Sequence, residues 1–162
     1  MKIVPLSDED RVSVRVLELA CIREYVERSI KKRWEDLPQD LREKLGASAA
    51  NSFQYYRDSG LSFVAKEGDK VVGFIFGQMM HWIDGIENAV WVENVGVDQE
   101  FRRMGIGYQL MRRLAEEGKK QGAQVVHSSI GLDNTRSLLL HRKLGFLGED
   151  RKIAILDLSK FH

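Results

Sequence analysis

Between Val95 and Gly107 the chain reads Val-Gly-Val-Asp-Gln-Glu-Phe-Arg-Arg-Met-Gly-Ile-Gly, and these residue types in this order can hold an anion. An apolar strand is expected to end near Val97 and a helix to start near Gly105. Arg102 and Arg103 bring positive charge to the turn. Gly105 and Gly107 allow a ligand to approach the backbone closely. The first N–H groups of a helix have no partner inside it and, with the helix dipole, favour negative charge. A phosphate or pyrophosphate is the group this turn fits. Leu110 stands where a G-x-G-x-x-G fingerprint needs its third glycine, and no G-x-x-x-x-G-K-[ST] run is present. What remains is R-x-x-G-x-G, written Arg102-x-x-Gly105-x-Gly107.

The elements around this turn follow from hydrophobic period. Residues 2–5 read as a first strand. Ser7 to Asp10 is a helix start. Val12, Val16, Leu19, Ile22, Val26 and Ile30 then recur every three or four residues, which predicts one apolar face of a helix. Pro38 opens a second helix expected to reach Tyr56; Phe53, Tyr55 and Tyr56 near its end either pack in a core or line a ligand mouth. Strands are expected at 61–65 and 71–76 around the turn Glu67-Gly68-Asp69, and at 89–97 after a looser stretch, 81–88. A helix over 105–121 carries Leu110, Met111, Leu114, Ala115 and Gly118 on one stripe and stops at Gly122. A strand at 125–130, a short helix at 134–144, a strand after Phe146 and a last strand at 153–158 complete the order. Strands and helices mix throughout, so the fold class is α/β (α+β): a mixed central sheet flanked by helices, in one domain spanning 1–162.

Downstream, Asn134-Thr-Arg-Ser-Leu-Leu-Leu-His-Arg-Lys-Leu-Gly-Phe146 follows at a fixed distance. The pair of segments resembles motifs A and B of the GNAT acetyltransferases. Asn134, Leu140, Lys143, Gly145 and Phe146 match the second motif; Ser137 replaces its small Ala and His141 its usual Tyr. The resemblance implies the GNAT fold, with two parallel strands that splay apart to bind acetyl-CoA. It implies pantetheine along the backbone of Val95, Gly96 and Val97. The pyrophosphate would rest on Arg102, Arg103, Met104, Gly105, Ile106, Gly107 and Tyr108, with Asn134, His141 and Lys143 bordering the cofactor's other side. The implied activity is transfer of acetyl from acetyl-CoA to a primary amine: a small amine, a polyamine, or a protein N-terminus or lysine.

Such a transfer needs a group to take the amine's proton and a way to protonate the leaving thiolate. On the strand 89–97, alternation places Trp91, Glu93, Val95 and Val97 on one face, with Glu93 its only carboxylate. Desolvation among apolar neighbours would strengthen Glu93 as a base. Its other readings are a structural carboxylate or one that holds the acceptor's ammonium. Glu87 and Asp84 are second choices. His141 falls on the inward stripe Asn134, Ser137, Leu140, His141, Leu144, next to the cofactor sulfur if the motif aligns. An imidazole there can donate to the thiolate or simply pack. The change from Tyr leaves a second function class open, an acyl-CoA-binding module without catalysis. Met79, Met80, Trp82 and Ile83 leave open a longer acyl chain.

Lys and Arg number 25 and Asp and Glu 24, so no bulk positive field draws nucleic acid or an anionic membrane. Asp84, Glu87 and Glu93 near the expected mouth point to a cationic acceptor. Cys21 is the only cysteine, which excludes an internal disulfide and fits a reducing cytoplasm. The first residues lack an apolar signal region, and no run approaches the roughly 18 apolar residues of a spanning helix. No metal is expected. The strand 153–158 is a candidate edge for a homodimer.

Overall fold

The computed structural model describes residues 1–161. Its sheet has the order β1 (Lys2–Pro5), β2 (Phe63–Glu67), β3 (Lys70–Ile83), β4 (Ile86–Val97), β5 (Val125–Ser128). Neighbours are antiparallel except β4 and β5, which run parallel. Helices α1 (Arg11–Tyr25), α2 (Gln39–Gly46) and α3 (Phe53–Asp58) precede β2; α4 (Ile106–Lys120) connects β4 to β5, and α5 (Thr135–Leu144) follows. Two cores sit on opposite faces of the sheet. Ile106, Leu110, Met111 and Leu114 of α4 pack on Phe63, Ile75, Val90 and Val92, with Leu144 and Phe146 at the margin. Val14 of α1 and Phe53 and Tyr56 of α3 pack on Val64, Phe74 and Phe76. The mixed sheet between helices is the architecture the order of elements predicts. No helix among the described residues is long and apolar enough to cross a membrane.

Four expectations are corrected. The stretch 81–88 is a hairpin, not a looser connection: β3 and β4 pair out to Ile83 and Ile86. Asp84 (φ 50°) and Gly85 (φ 78°) make the turn. Two positive φ values in a row match the right-handed twist of the strands they join, and Asp-Gly is the dipeptide that supplies them.

Leu19, Ile22 and Val26 of the expected face pack with Trp34 and Leu37 in a third cluster, but the first turns of the helix bury a different face. Val12 and Val16 are 73% and 65% exposed, whereas Val14 and Glu18 are buried and Cys21 packs between them and the sheet. Glu18 explains the turn of the helix. Its carboxylate accepts the Ala49 N–H (2.9 Å), the Ala50 N–H (3.1 Å) and the Asn94 amide (3.2 Å). Burial pushes its carboxyl above the usual range, and these bonds oppose that.

The same carboxylate breaks the helix expected from Pro38 to Tyr56. Backbone donors at Ala49 and Ala50 need an acceptor, and Glu18 acts as a cap supplied from α1. A 3₁₀ turn, Ala49–Ser52, and then α3 start there after the extended Ser48.

The strands expected after Phe146 and at 153–158 do not form. Among the described residues β5 has only β4 as a neighbour. Ile153, Ile155, Leu156 and Leu158 lie exposed, and the segment's one regular element is a 3₁₀ turn, Leu158–Lys160. Among the described residues the outer edges of β1 and β5 stay unpaired, and this segment adds to neither.

Candidate active site

The parallel pairing of β4 and β5 starts at Ala89 and Val125 and stops at Val92 and Ser128. Beyond that point β4 continues to Val97 while the chain after Ser128 turns away toward α5. The wedge between them is a cleft of about 100 Å³, lined by Val92 to Val95, Ser128 to Gly131, Asn134, Ser137 and His141. The two motifs approach each other beside it, where Leu140 lies 3.4 Å from the Cβ position of Gly107. The splayed strands expected from the resemblance are present.

Glu93 sits at this mouth for a reason that alternation alone does not give. Phe76 pairs with Asn94 but Gly77 pairs with Val92, so Glu93 is the extra residue of a β-bulge. The bulge shifts the pattern by one. Val92 belongs to the core under α4, and Val95 and Val97 pack on that same core. Asn94 bonds Glu18 of α1, and Gly96 faces Phe74 and Cys21. Trp91, Glu93, Val95 and Val97 therefore do not share a face. Glu93 lies with Trp91, whose Nε1–H donates to Glu93 Oε2 at 2.8 Å, and beside Tyr56. It is exposed rather than enclosed by apolar neighbours. Tyr56 is buried; desolvation first, and then the Glu93 carboxylate, push its hydroxyl up to about 12. That keeps it a neutral donor. Asp84 and Glu87 are six or more residues away along β4, on the order of 20 Å. Asp84 pairs there with Arg151 at 3.2 Å. Tyr55 is separate from the cleft: with Asp58, Ser59, Gln78 and Met79 it lines a shallow hollow of about 320 Å³, and its hydroxyl donates to Gln78 Oε1 at 2.6 Å.

The glycine turn has the geometry an anion needs. Arg103 (φ 64°) and Gly105 (φ 77°) are both left-handed, and a Cβ built on Gly105 would meet nothing within 4 Å. Gly105 is the N-cap of α4 and offers no side-chain cap, so the helix's first N–H groups are open to a ligand. Arg103 and Met104 are exposed beside them. Ile106 is 2% exposed and part of the core, so only its backbone faces the turn. Lys143 Nζ lies 5.1 Å from the ring centre of Tyr108, joining α5 to this end of α4.

Arg102 is engaged elsewhere. Its Nε donates to the Val97 carbonyl at 3.1 Å, and its guanidinium forks onto Glu24 of α1, with Nη1 to Oε1 at 2.6 Å. Arg136 and Arg28 also reach Glu24, at 3.2 and 3.1 Å. The Arg102 hydrogen bond, with Arg136 and Arg28 adding to it, holds the Glu24 carboxyl below its ordinary value of 4.5. A depressed carboxyl stabilises the fold above its unfolded value, and the contribution is lost as pH falls through the folded one. Glu24→Gln is therefore expected to lower Tm at pH 7 and to change it little at pH 3. An equal loss at both would show that charge does not hold this junction.

His141 is buried on α5. The inward stripe Asn134, Ser137, Leu140, His141, Leu144 is observed as expected from its period. Nδ1 lies 2.7 Å from the Ser137 carbonyl and Nε2 lies 2.9 Å from Ser128 Oγ. Phe146 stacks edge-on against the ring at 4.7 Å. Asn134 caps α5, its Oδ1 accepting the Ser137 N–H at 3.2 Å. Ser128 and Glu24 were not singled out for the site by sequence reasoning; the end of the β4–β5 pairing places the first and the Arg102 guanidinium the second.

Comparison with known proteins agrees with this geometry. A family model described as "Protein of unknown function (DUF1999)" matches residues 1–161. An uncharacterized N-acetyltransferase of Methanocaldococcus jannaschii is 33% identical over 92 residues, 56% of this chain and 40% of that protein. Aminoglycoside N(6')-acetyltransferase type 1 of Salmonella typhimurium is 28% identical over 95 residues, 57% of this chain and 66% of that one. The chain thus spans less than two thirds of the length of these curated relatives. Aminoglycoside N-acetyltransferase AAC(6')-Iy in complex with CoA superposes with a TM-score of 0.72 over 97% of this chain and 94% of that one, at 20% identity.

Proposed function

The chain belongs to the family described as "Protein of unknown function (DUF1999)", and from that premise we propose that it is an acetyl-CoA-dependent N-acetyltransferase of the GNAT superfamily acting on a primary amine. The observation that carries the reading is the wedge between β4 and β5. It opens at the last strand pair, Val92 with Ser128, and is lined by β4 up to Val95 and by Asn134, Ser137 and His141 of the second motif. The uncapped N-terminus of α4 and the open space at Gly105 fit a pyrophosphate. The relatives named above as N-acetyltransferases and the CoA complex of similar fold support the same cosubstrate.

Acetyl-CoA supplies an activated acetyl thioester. The backbone of Val95, Gly96 and Val97 holds the pantetheine arm, and residues 103–108 hold the pyrophosphate with Arg103 beside it. Arg102 shapes the turn by tying Val97 to Glu24. Asn134 and Lys143 border the cofactor from α5. Glu93, set out from the strand by its bulge and oriented by Trp91, takes the proton of the incoming ammonium. Its exposure suits a base that hands protons on to water. The acceptor is a cationic amine, of the small-molecule, polyamine or peptide kind, since a carboxylate at the mouth attracts positive charge. One domain spanning the chain, in the cytoplasm, is part of this proposal; the lone, partly buried Cys21 supports the compartment.

The test is to incubate the protein with acetyl-CoA and a panel of amines, peptides and aminoglycosides while following free thiol and product mass. Thiol release matched by a product 42 Da heavier (roughly, the mass of one added acetyl) supports the reading. Tight acetyl-CoA binding without turnover on any acceptor would favour a binding module.

We also propose a homodimer built on residues 147–161. Leu147, Ile153, Ile155, Leu156, Leu158 and Phe161 are 65–95% exposed in the single chain. That much apolar surface on one segment marks an interaction site, and a second copy offers the edge that residues 153–158 lack. Light scattering is expected to give twice the chain mass, and Ile155→Lys with Leu158→Lys to halve it. A wild-type monomer at working concentration would remove the dimer.

A further inference from the structure

We propose that Ser128, backed by His141, is the group that delivers a proton to the leaving thiolate. The inference rests on the acetyltransferase reading for the position of the sulfur in the cleft; the pairing of the two residues stands on its own.

His141 cannot reach the cleft with a free donor. Its Nδ1 lies 2.7 Å from the carbonyl oxygen of Ser137, which can only accept, so Nδ1 carries a hydrogen. Its Nε2 lies 2.9 Å from Ser128 Oγ, and the ring is 3% exposed. Both nitrogens are therefore used. Ser128 ends β5 at the last pair with β4, where the strands part, and it lines the cleft together with Glu93. The hydroxyl stands between the imidazole and the space where a thioester would lie.

The protonation state of the imidazole sets the direction of that hydroxyl. With His141 neutral, Nε2 is an acceptor and the Ser128 hydrogen points to it. With His141 protonated, Nε2–H donates to Ser128 Oγ, and the hydroxyl hydrogen is free to point into the cleft. Transfer then balances as follows. The C–N bond to the acceptor forms and the C–S bond breaks. The electron pair of that bond goes to sulfur. Ser128 Oγ–H gives its proton to the sulfur, and Oγ recovers one from Nε2 of the imidazolium, which becomes neutral. The proton lost by the amine leaves through Glu93. His141 is recharged by the reverse route, a proton from water in the emptied cleft passing through Ser128 Oγ to Nε2. The ionisable side chains nearest the ring in sequence and register on the surrounding elements are Glu93 on β4, His127 on β5, Tyr108 on α4, and Arg136, Arg142 and Lys143 on α5, with Glu87 of β4 and the remaining charges of α4 farther along. Of these only Glu93 lines the cleft.

The role needs a hydroxyl at 128 and an imidazole at 141. Ser128→Ala is expected to lower turnover about 10²-fold, the lower edge of general acid–base effects. The Kd for CoA, read by calorimetry, should change less than about threefold, because the hydroxyl bonds the ring rather than the phosphates. Ser128→Thr should restore most of the rate. His141→Phe should lose a similar factor, and the double variant little more, as two members of one relay are not additive. A second readout needs no substrate. In the free protein, imidazole ¹⁵N spectra should show His141 as the Nδ1–H tautomer when neutral, and Ser128→Ala should shift Nε2 while leaving Nδ1 in place. An Nε2–H tautomer, or a Ser128→Ala enzyme with the wild-type rate, would overturn the relay. A wild-type protein that turns over no amine, with the ¹⁵N signature intact, would instead count against the acetyltransferase reading.

Discussion

Glu93→Gln is expected to slow acetyl transfer by about 10²–10⁴-fold, the range for loss of a general base, while leaving the affinity for acetyl-CoA within a few-fold of wild type. The amide keeps the size of the side chain and an oxygen for the Trp91 Nε1–H. What it loses is the capacity to take a proton. Glu93 is exposed and touches the core only at the Tyr56 hydroxyl, for which the amide keeps an acceptor oxygen, so the fold and the cofactor seat should change little. The check is a pair of measurements on one preparation: thiol release at saturating acceptor, and a calorimetric Kd. A variant with unchanged turnover would return Glu93 to holding the acceptor's ammonium, which would instead raise KM. A loss of Kd as large as the loss of rate would mean that the bulge itself had moved.

Gly105→Val is expected to abolish acetyl-CoA binding. At 100 times its Kd, a ligand that binds only the folded chain adds about 2.7 kcal/mol. For a chain of this size that is a rise in Tm of roughly 5–11 °C, and the variant should show none. Two effects act at this position. A β-branched residue at φ 77° is strained by on the order of 1–3 kcal/mol, and its side chain fills the space that lies open beyond Gly105. Gly122→Val separates them. Gly122 also has a positive φ (89°) and open space for a Cβ, but it lies past the other end of α4, about 22 Å away. It should lower the Tm of the free protein by a similar amount and keep the full rise with acetyl-CoA. If both variants keep the rise, the glycine turn is not the phosphate seat.

The parts of this site that local pattern encodes were legible in the sequence. The strand-turn-helix at Val95 to Gly107 and the stripe that carries His141 follow from period and from glycine placement, and the structure packs them together through Gly107 with Leu140 and Tyr108 with Lys143. The hairpin at 81–88 was equally readable, because Asp84-Gly85 is a turn dipeptide, but the polar and aromatic residues beside it hid the alternation. Three features had no local signal. The bulge at Glu93 is a mismatch between two strands, visible only once both are paired. The period reads Leu19, Ile22 and Val26 correctly, but the buried face of the first turns of α1 is set with Glu18, a charged residue that two distant backbone donors hold inside. Arg102 reads as a phosphate ligand by its motif, yet Glu24, 78 residues earlier, takes its guanidinium. The fate of 153–158 is of the same kind: its apolar pattern is that of a strand, but pattern does not say whether the segment pairs, and it leaves the free edge of β5 uncovered.

Amide hydrogen exchange with and without acetyl-CoA tests the central claim most directly, because it reads the seat of the cofactor without requiring the right acceptor. Protection is expected at residues 93–97, along the open edge of β4, and at 103–108, at the start of α4, with a smaller effect at 134–143. NADH and ATP at equal concentration should leave 93–97 unchanged. No protection of 93–97 by acetyl-CoA, or equal protection of that edge by ATP, would contradict the account.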